Sequence, residues 1–175
     1  MTTSDATPAS RAPAPDSPGL TVRTGPLSFA VFALARTHRG LAGAMLRELD
    51  LHPGQELLLM QLMERDGQSQ SQLLASVGLD HSTVSKSLRR MEDAGLLRRE
   101  AAAHDRRVLL VYLTDKGRAM REPLERMWAR LEELSTRALE PGQIETFVAL
   151  AGTIERSLRN SEQADGEPGS PARRT

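Results

Sequence analysis

Between Asp80 and Gly95 the residue types sort into two sets by spacing. His81, Ser82, Ser85, Lys86, Arg89 and Arg90 recur at helical intervals, whereas Val84, Leu88 and Met91 step by four and three along the opposite face. Such a helix buries its apolar stripe and turns hydroxyls and cations outward. Those groups can hydrogen-bond base edges and neutralise phosphates. A second cationic group follows in the polar stretch from Ala102 to Arg107, where Arg106 and Arg107 are adjacent. Other chemistries lack their residues. The chain has no Cys, which excludes disulfides, thiolate metal sites and thiol redox sensing. His38, His52, His81 and His104 are scattered, so no zinc site is expected. No nucleophile–base motif, Gly-rich phosphate loop or carboxylate pair points to an enzyme, and no cofactor is implied.

A charged outer face alone is also what plain solvation produces, so the elements around it carry the argument. A short helix over about Gln70 to Val77 would bury Leu73, Leu74 and Val77, and Gly78 can adopt the positive φ that ends it. Asp80 suits the N-cap of the next helix, accepting from the backbone near Thr83, and Gly95 closes that helix. This is a helix-turn-helix. Leu97 to Ala101 and Val108 to Leu113 then read as two strands joined by the Ala102–Arg107 tip, a hairpin that makes the unit a winged helix. From Ser69 to Arg118 there are nine basic and six acidic residues, a local charge of +3. The balance of 23 basic and 23 acidic residues over the whole chain therefore does not argue against DNA.

Long amphipathic helices flank this unit. From about Pro26 to Leu49, Leu27, Val31, Leu34, Leu41 and Met45 form one seam, with His38 the polar residue on it. Pro53 suits the first turn of a second helix, lined by Leu58, Leu59, Leu62 and Met63 and ended at Asp66-Gly67. Leu124, Met127, Leu131, Leu134 and Ala138 repeat the pattern, as do Ile144, Phe147, Ala151, Ile154 and Leu158. Thr114 suits the N-cap of the helix leaving the wing, and Pro123 should kink it, having no N–H for the Ala119 carbonyl. The seams could close an intramolecular bundle or a dimer. The dimer fits better, because about 65 residues separate the two ends.

The 175 residues suit one domain. Residues 1–23 and 161–175, rich in Pro, Gly and Ser, are expected to be disordered tails. Arg173 and Arg174 could touch phosphate, although a solvated tail is the simpler reading. No apolar run approaches the roughly 20 residues of a membrane span and no signal peptide is evident, so a cytoplasmic protein is expected. The excess of 21 Arg over two Lys fits a GC-rich genome.

With these residues in place, the chain resembles the MarR family of winged-helix transcription factors. Carrying the resemblance are Asp80-x-Ser82-Thr83-Val84-Ser85, Leu88-x-x-Met91-Glu92-x-Ala94-Gly95-Leu96, Asp105-Arg106-Arg107 and Val111-Tyr112-Leu113-Thr114-Asp115-Lys116-Gly117. It covers about residues 25–160. It implies a mainly α fold with a small β-hairpin wing: a MarR-type domain over 24–160, with the winged helix-turn-helix at about 53–113. Dimerisation helices would lie at about 26–49 and 114–159.

The resemblance further implies a bacterial homodimer, mostly a repressor, on a pseudo-palindromic double-stranded DNA operator with half-sites ~10 base pairs apart. Ser82, Thr83, Ser85 and Lys86 would meet bases or phosphates, and Arg89 and Arg90 would meet phosphate. Arg107 would enter the minor groove, its guanidinium held by Asp105, with Arg106 on phosphate or in solvent. A small aromatic or phenolic effector would have Phe32, Arg36, His38, Met60 and Trp128 as candidate contacts. Each has a plainer reading: Phe32 and Met60 as core, Arg36 as surface charge, His38 as an interface histidine and Trp128 as dimer core. The competing class is a winged-helix protein-interaction module that does not bind DNA.

Overall fold

The computed structural model describes residues 23–103 and 105–165 of the chain. Residues 1–22 of the tail expected at 1–23, the C-terminal stretch 166–175 with Arg173 and Arg174, and His104 lie outside the described residues. Helix α1 spans Pro26–Glu48 and α2 Gln55–Glu64. The two-residue strand β1, Gln68–Ser69, leads into α3, Gln70–Val77, and α4, His81–Asp93. Strands β2, Leu97–Ala101, and β3, Leu109–Leu113, form the wing. The exit segment is α5, Asp115–Ala119, then α6, Arg121–Thr136, and α7 spans Pro141–Asp165. The fold is thus mostly helical with a small antiparallel sheet.

One core forms where the helix-turn-helix, the sheet and the start of α6 meet. It contains Leu46, Leu58, Leu62, Leu73, Val84, Leu88, Met91, Leu97, Val111, Leu113 and Leu124. Each buried Leu or Val removes enough apolar surface from water to contribute about 1.5–3 kcal/mol. In the wing, Val111 and Leu113 point inward, whereas Leu109 on the same face lies beyond the core and is exposed.

Several expectations are corrected. The wing is a three-stranded sheet in the order β1-β3-β2, because Gln68 pairs with Val111 and Ser69 with Leu110. Two polar residues carry no strand periodicity. Gln68 nonetheless belongs to the core, its amide donating to the carbonyls of Gln61 and Arg65. Pro53 is not in the first turn of α2: it lies in the preceding turn, and Gly54, at φ 94°, is the N-cap. The exit helix does not bend around Pro123; it breaks at Met120, so that Pro123 occupies the first turn of α6, where a missing N–H costs least. Residues 161–165, assigned to a tail, continue α7.

The terminal seams do not close an intramolecular bundle. Leu27, Val31, Leu34 and Leu41 are exposed, and none of residues 141–161 is buried. Among the described residues no helix is long and apolar enough to cross a membrane.

Candidate nucleic-acid interface

Local signals set both ends of the helix-turn-helix. Ser69 caps α3 through a capping box with Gln72, and Gly78 ends it at φ 63°, which turns the chain towards α4. Asp80 caps α4, its Oδ1 accepting from the backbone N–H of Thr83 at 2.9 Å. The same carboxylate accepts from Ser82 Oγ at 2.7 Å and Thr83 Oγ1 at 2.5 Å. These bonds, the Thr83 hydroxyl foremost, hold the Asp80 carboxyl well below the usual carboxylate range. His81 Nε2 lies 3.4 Å from Gln70 Nε2, linking the starts of α3 and α4.

Helix α4 buries Val84, Ser87, Leu88 and Met91. Its far side presents Ser82, Lys86, Arg89 and Arg90, all exposed, with Ser85 and Thr83 half-buried beside them. The other end of α4 is held from the exit segment. Lys116 Nζ donates to the Ala94 carbonyl at 2.8 Å, and Thr114 Oγ1 to Gly95 O at 2.6 Å. Thr114 also caps α5, accepting from the N–H of Gly117.

Asp105, Arg106 and Arg107 sit on one turn between β2 and β3, and all three are exposed. Asp105 does not hold the Arg107 guanidinium, as expected from the resemblance; its Oδ1 accepts from the backbone N–H of Arg107 at 2.9 Å. An Asp side chain reaches the amide two residues on with less reordering than a long guanidinium requires. Asp105 thus shapes the turn and leaves the guanidinium outside it.

Charge is distributed unevenly over this head. Glu92 pairs with Arg99, Glu100 with Arg98, and Asp115 with Arg118. Arg98 also lies over the Tyr112 ring, 4.8 Å from its centre. Among the described residues no ion pair reaches Lys86, Arg89, Arg90, Arg106 or Arg107. Three carboxylates thus pair with flanking cations, and the five unpaired cations of α4 and the wing turn outnumber the described acidic residues there, Asp80, Asp93 and Asp105, which are in no ion pair. Such an arrangement can attract and neutralise phosphates.

The candidate effector residues are only partly brought together. Met60 and Trp128 line a cavity of about 300 Å³ with Met63, Glu64, Arg121, Leu124 and Glu125. Phe32, Arg36 and His38 on α1 do not line it. The plainer expectation that Phe32 and Met60 are core is overturned: they are 59 % and 37 % exposed, because α1 and the outer side of α2 lack a covering element within the chain. Trp128 Nε1 is buried without a hydrogen-bond partner. A second cavity of about 360 Å³ adjoins it, lined by Leu62, Met63, Glu64, Asp66, Leu113, Arg118 and Arg121. Sequence reasoning missed Arg121, which belongs to both; nothing in its spacing marks it. Among the described residues no cluster of His and carboxylates suited to a metal ion is present.

The sequence profile of the MarR family matches residues 49–108, from the end of α1 through the helix-turn-helix into the wing. Over that third of its length the chain is similar to the MarR family. Members of that family are transcriptional regulators, not enzymes. The chain is 32 % identical over 99 residues to the HTH-type transcriptional regulator TtmR of Methylorubrum extorquens (strain PA1). That match takes in 57 % of this chain and 51 % of TtmR, so it spans about half the length of that relative. Among solved structures, the transcriptional repressor CouR bound to a 23-mer DNA duplex superposes with a TM-score of 0.72 at 23 % identity, over 80 % of this chain and 99 % of CouR. Bordetella bronchiseptica BpsR, whose DNA binding is regulated by 6-hydroxynicotinic acid, gives 0.70 at 19 % identity, over 80 % and 98 %. Both likenesses show the shared winged-helix fold.

Proposed function

We propose that this protein is a MarR-type, sequence-specific DNA-binding transcriptional regulator, a cytoplasmic homodimeric repressor on a pseudo-palindromic operator, released by a small aromatic or phenolic ligand. The observation that carries the reading is the cationic set Lys86, Arg89, Arg90, Arg106 and Arg107 on α4 and the wing turn, none of which is in an ion pair among the described residues, whereas Arg98, Arg99 and Arg118 beside them are paired with carboxylates. In this reading α4 enters a major groove. Ser82, Thr83, Ser85 and Lys86 face bases or nearby phosphates, Arg89 and Arg90 take phosphate, and the wing places Arg107 in the adjacent minor groove. Asp105 fixes the turn that aims it. CouR, a repressor seen on DNA, and BpsR, whose DNA binding responds to a small aromatic acid, support the operator and the effector. Met60, Trp128 and Arg121, with the unpartnered indole N–H, are the part of the candidate effector set that shares a cavity. Phe32, Arg36 and His38 would contribute only across the dimer.

Footprinting on the DNA upstream of its own gene, and on sites selected from random DNA, tests the reading across a salt series. Counterion release predicts a log–log salt slope of about −9 if all of the roughly ten cations per dimer meet phosphate. Arg107→Ala should weaken the selected site by roughly ten-fold or more, in keeping with ~1–3 kcal/mol for a specific groove contact. Protection nowhere at low salt, with the dimer intact, would transfer the head to a protein-binding role.

A further inference from the structure

Ser and Thr hydroxyls are ambiguous readers of DNA, since each can donate once and accept twice. In this chain the ambiguity is removed by a neighbour. The Ser82 hydroxyl donates to Asp80 Oδ1 and the Thr83 hydroxyl to Asp80 Oδ2, at 2.7 and 2.5 Å. A carboxylate is an acceptor with no proton to give, so both hydroxyl hydrogens are committed to it. Only lone pairs then remain to face a ligand. Ser85, one turn along α4 from Ser82, makes no such bond and keeps both capacities.

We propose that Asp80, without touching DNA, is a specificity-determining positioning residue: it makes Ser82 and Thr83 obligate acceptors, so that they read the exocyclic amino group of adenine or cytosine. The inference rests on the DNA-binding reading above. In the major groove, adenine N6 and cytosine N4 are the donors, whereas guanine and thymine offer acceptors at the corresponding sites. Phosphate oxygens also only accept, and the Asp80 charge repels them. Ser82 and Thr83 are therefore withdrawn from backbone contact, which is left to Lys86, Arg89 and Arg90. The low proton affinity of Asp80 keeps this arrangement in force throughout the neutral range.

The test begins with the full chain and a duplex selected from random DNA. Adenines are replaced singly by purine and cytosines by 2-pyrimidinone, which delete the amino group alone; phosphates are replaced singly by methylphosphonate. Binding of each duplex is measured for the wild type, Ser82→Ala, Thr83→Val and Asp80→Asn, with thermal melts to confirm folding. Asn caps helices as well as Asp, so Asp80→Asn should keep α4. Its amide nitrogen, in place of Oδ2, would donate to Thr83 Oγ1 and free the Thr83 hydrogen.

The expected result is a position in each half-site where amino deletion weakens the wild type by roughly five-fold and leaves Ser82→Ala unaffected, as for one lost hydrogen bond. A second such position should couple to Thr83→Val, and there Asp80→Asn should accept guanine or thymine. Coupling of Ser82 or Thr83 to a methylphosphonate or to a guanine or thymine oxygen, or no coupling at all, overturns the inference while DNA binding stands. Absence of any selected site for the wild type overturns both.

Discussion

Gly117 shows how closely single residues join the head to the exit helix. A Cβ at this position would lie 2.1 Å from the carbonyl oxygen of Leu96, a backbone atom already fixed by accepting from Thr114 N. Neither side can yield without moving the end of α4 or the start of α5. Gly117→Ala should therefore destabilise the fold by about 1–3 kcal/mol, the range for overpacked sites, read from urea unfolding. Stability equal to the wild type would mean that the joint relaxes freely. Arg107 stands at the opposite extreme. It is exposed and its guanidinium is unpaired, so its replacement by Ala should affect DNA binding and leave the melting temperature alone. The same residue-scale logic separates Asp105, whose carboxylate holds backbone, from the cations beside it.

At the scale of elements, the exit segment carries the geometry. Asp66, after α2, accepts from Leu113 N on β3 at 2.9 Å and from Arg118 on α5 at 2.7 Å. Lys116 and Thr114 fasten the other side of α5 to the end of α4. The short helix α5 thus moves with the head, and the break at Met120 separates it from α6. Pro123 keeps the break open, because it cannot donate to Ala119 and fuse the two helices. Pro123→Ala should let α5 and α6 approach one continuous helix, re-aiming the heads and changing operator affinity several-fold with the dimer intact. Gel-shift titration beside sedimentation would check this, and unchanged affinity would sink the idea.

For the whole molecule, the open apolar surface is the dominant unsolved term within one chain. Leu27, Val31 and Leu34 on α1 and Phe147, Val148 and Leu158 on α7 are each roughly half exposed or more. Exposed apolar side chains repeated along helix faces in this way mark association sites. A second copy intertwined through α1, α6 and α7 would cover them and set two heads at a fixed spacing. Leu34→Asp combined with Phe147→Asp should give a monomer by analytical ultracentrifugation. The head should stay folded, since neither side chain belongs to its core. Binding to a full operator should then fall by ~100-fold or more, because the second head no longer benefits from effective concentration. A persisting dimer would place the interface elsewhere.

How much of this was legible in the residues follows from the range of the interactions involved. The helices α1, α3, α4, α6 and α7 announce themselves by period, and Asp80, Gly78 and Thr114 by side-chain or backbone chemistry acting within three or four residues. The wing strands are nearly as local, and the cationic face of α4 follows from its apolar one. What the residues do not announce depends on partners far along the chain. Gln68 becomes a strand and a core residue only because β3 arrives 43 positions later, at Val111. Asp66 becomes a clamp only when Leu113 and Arg118 reach it. Pro53 lies outside α2 because Gly54 takes the left-handed cap. Met60 and Trp128 share a cavity while Phe32, Arg36 and His38 stay apart, because α2 and α6 pack together over that stretch. A side chain's period is inherited from its neighbours in sequence, whereas its burial, its clamp partners and its cavity depend on which distant surface excludes water from it.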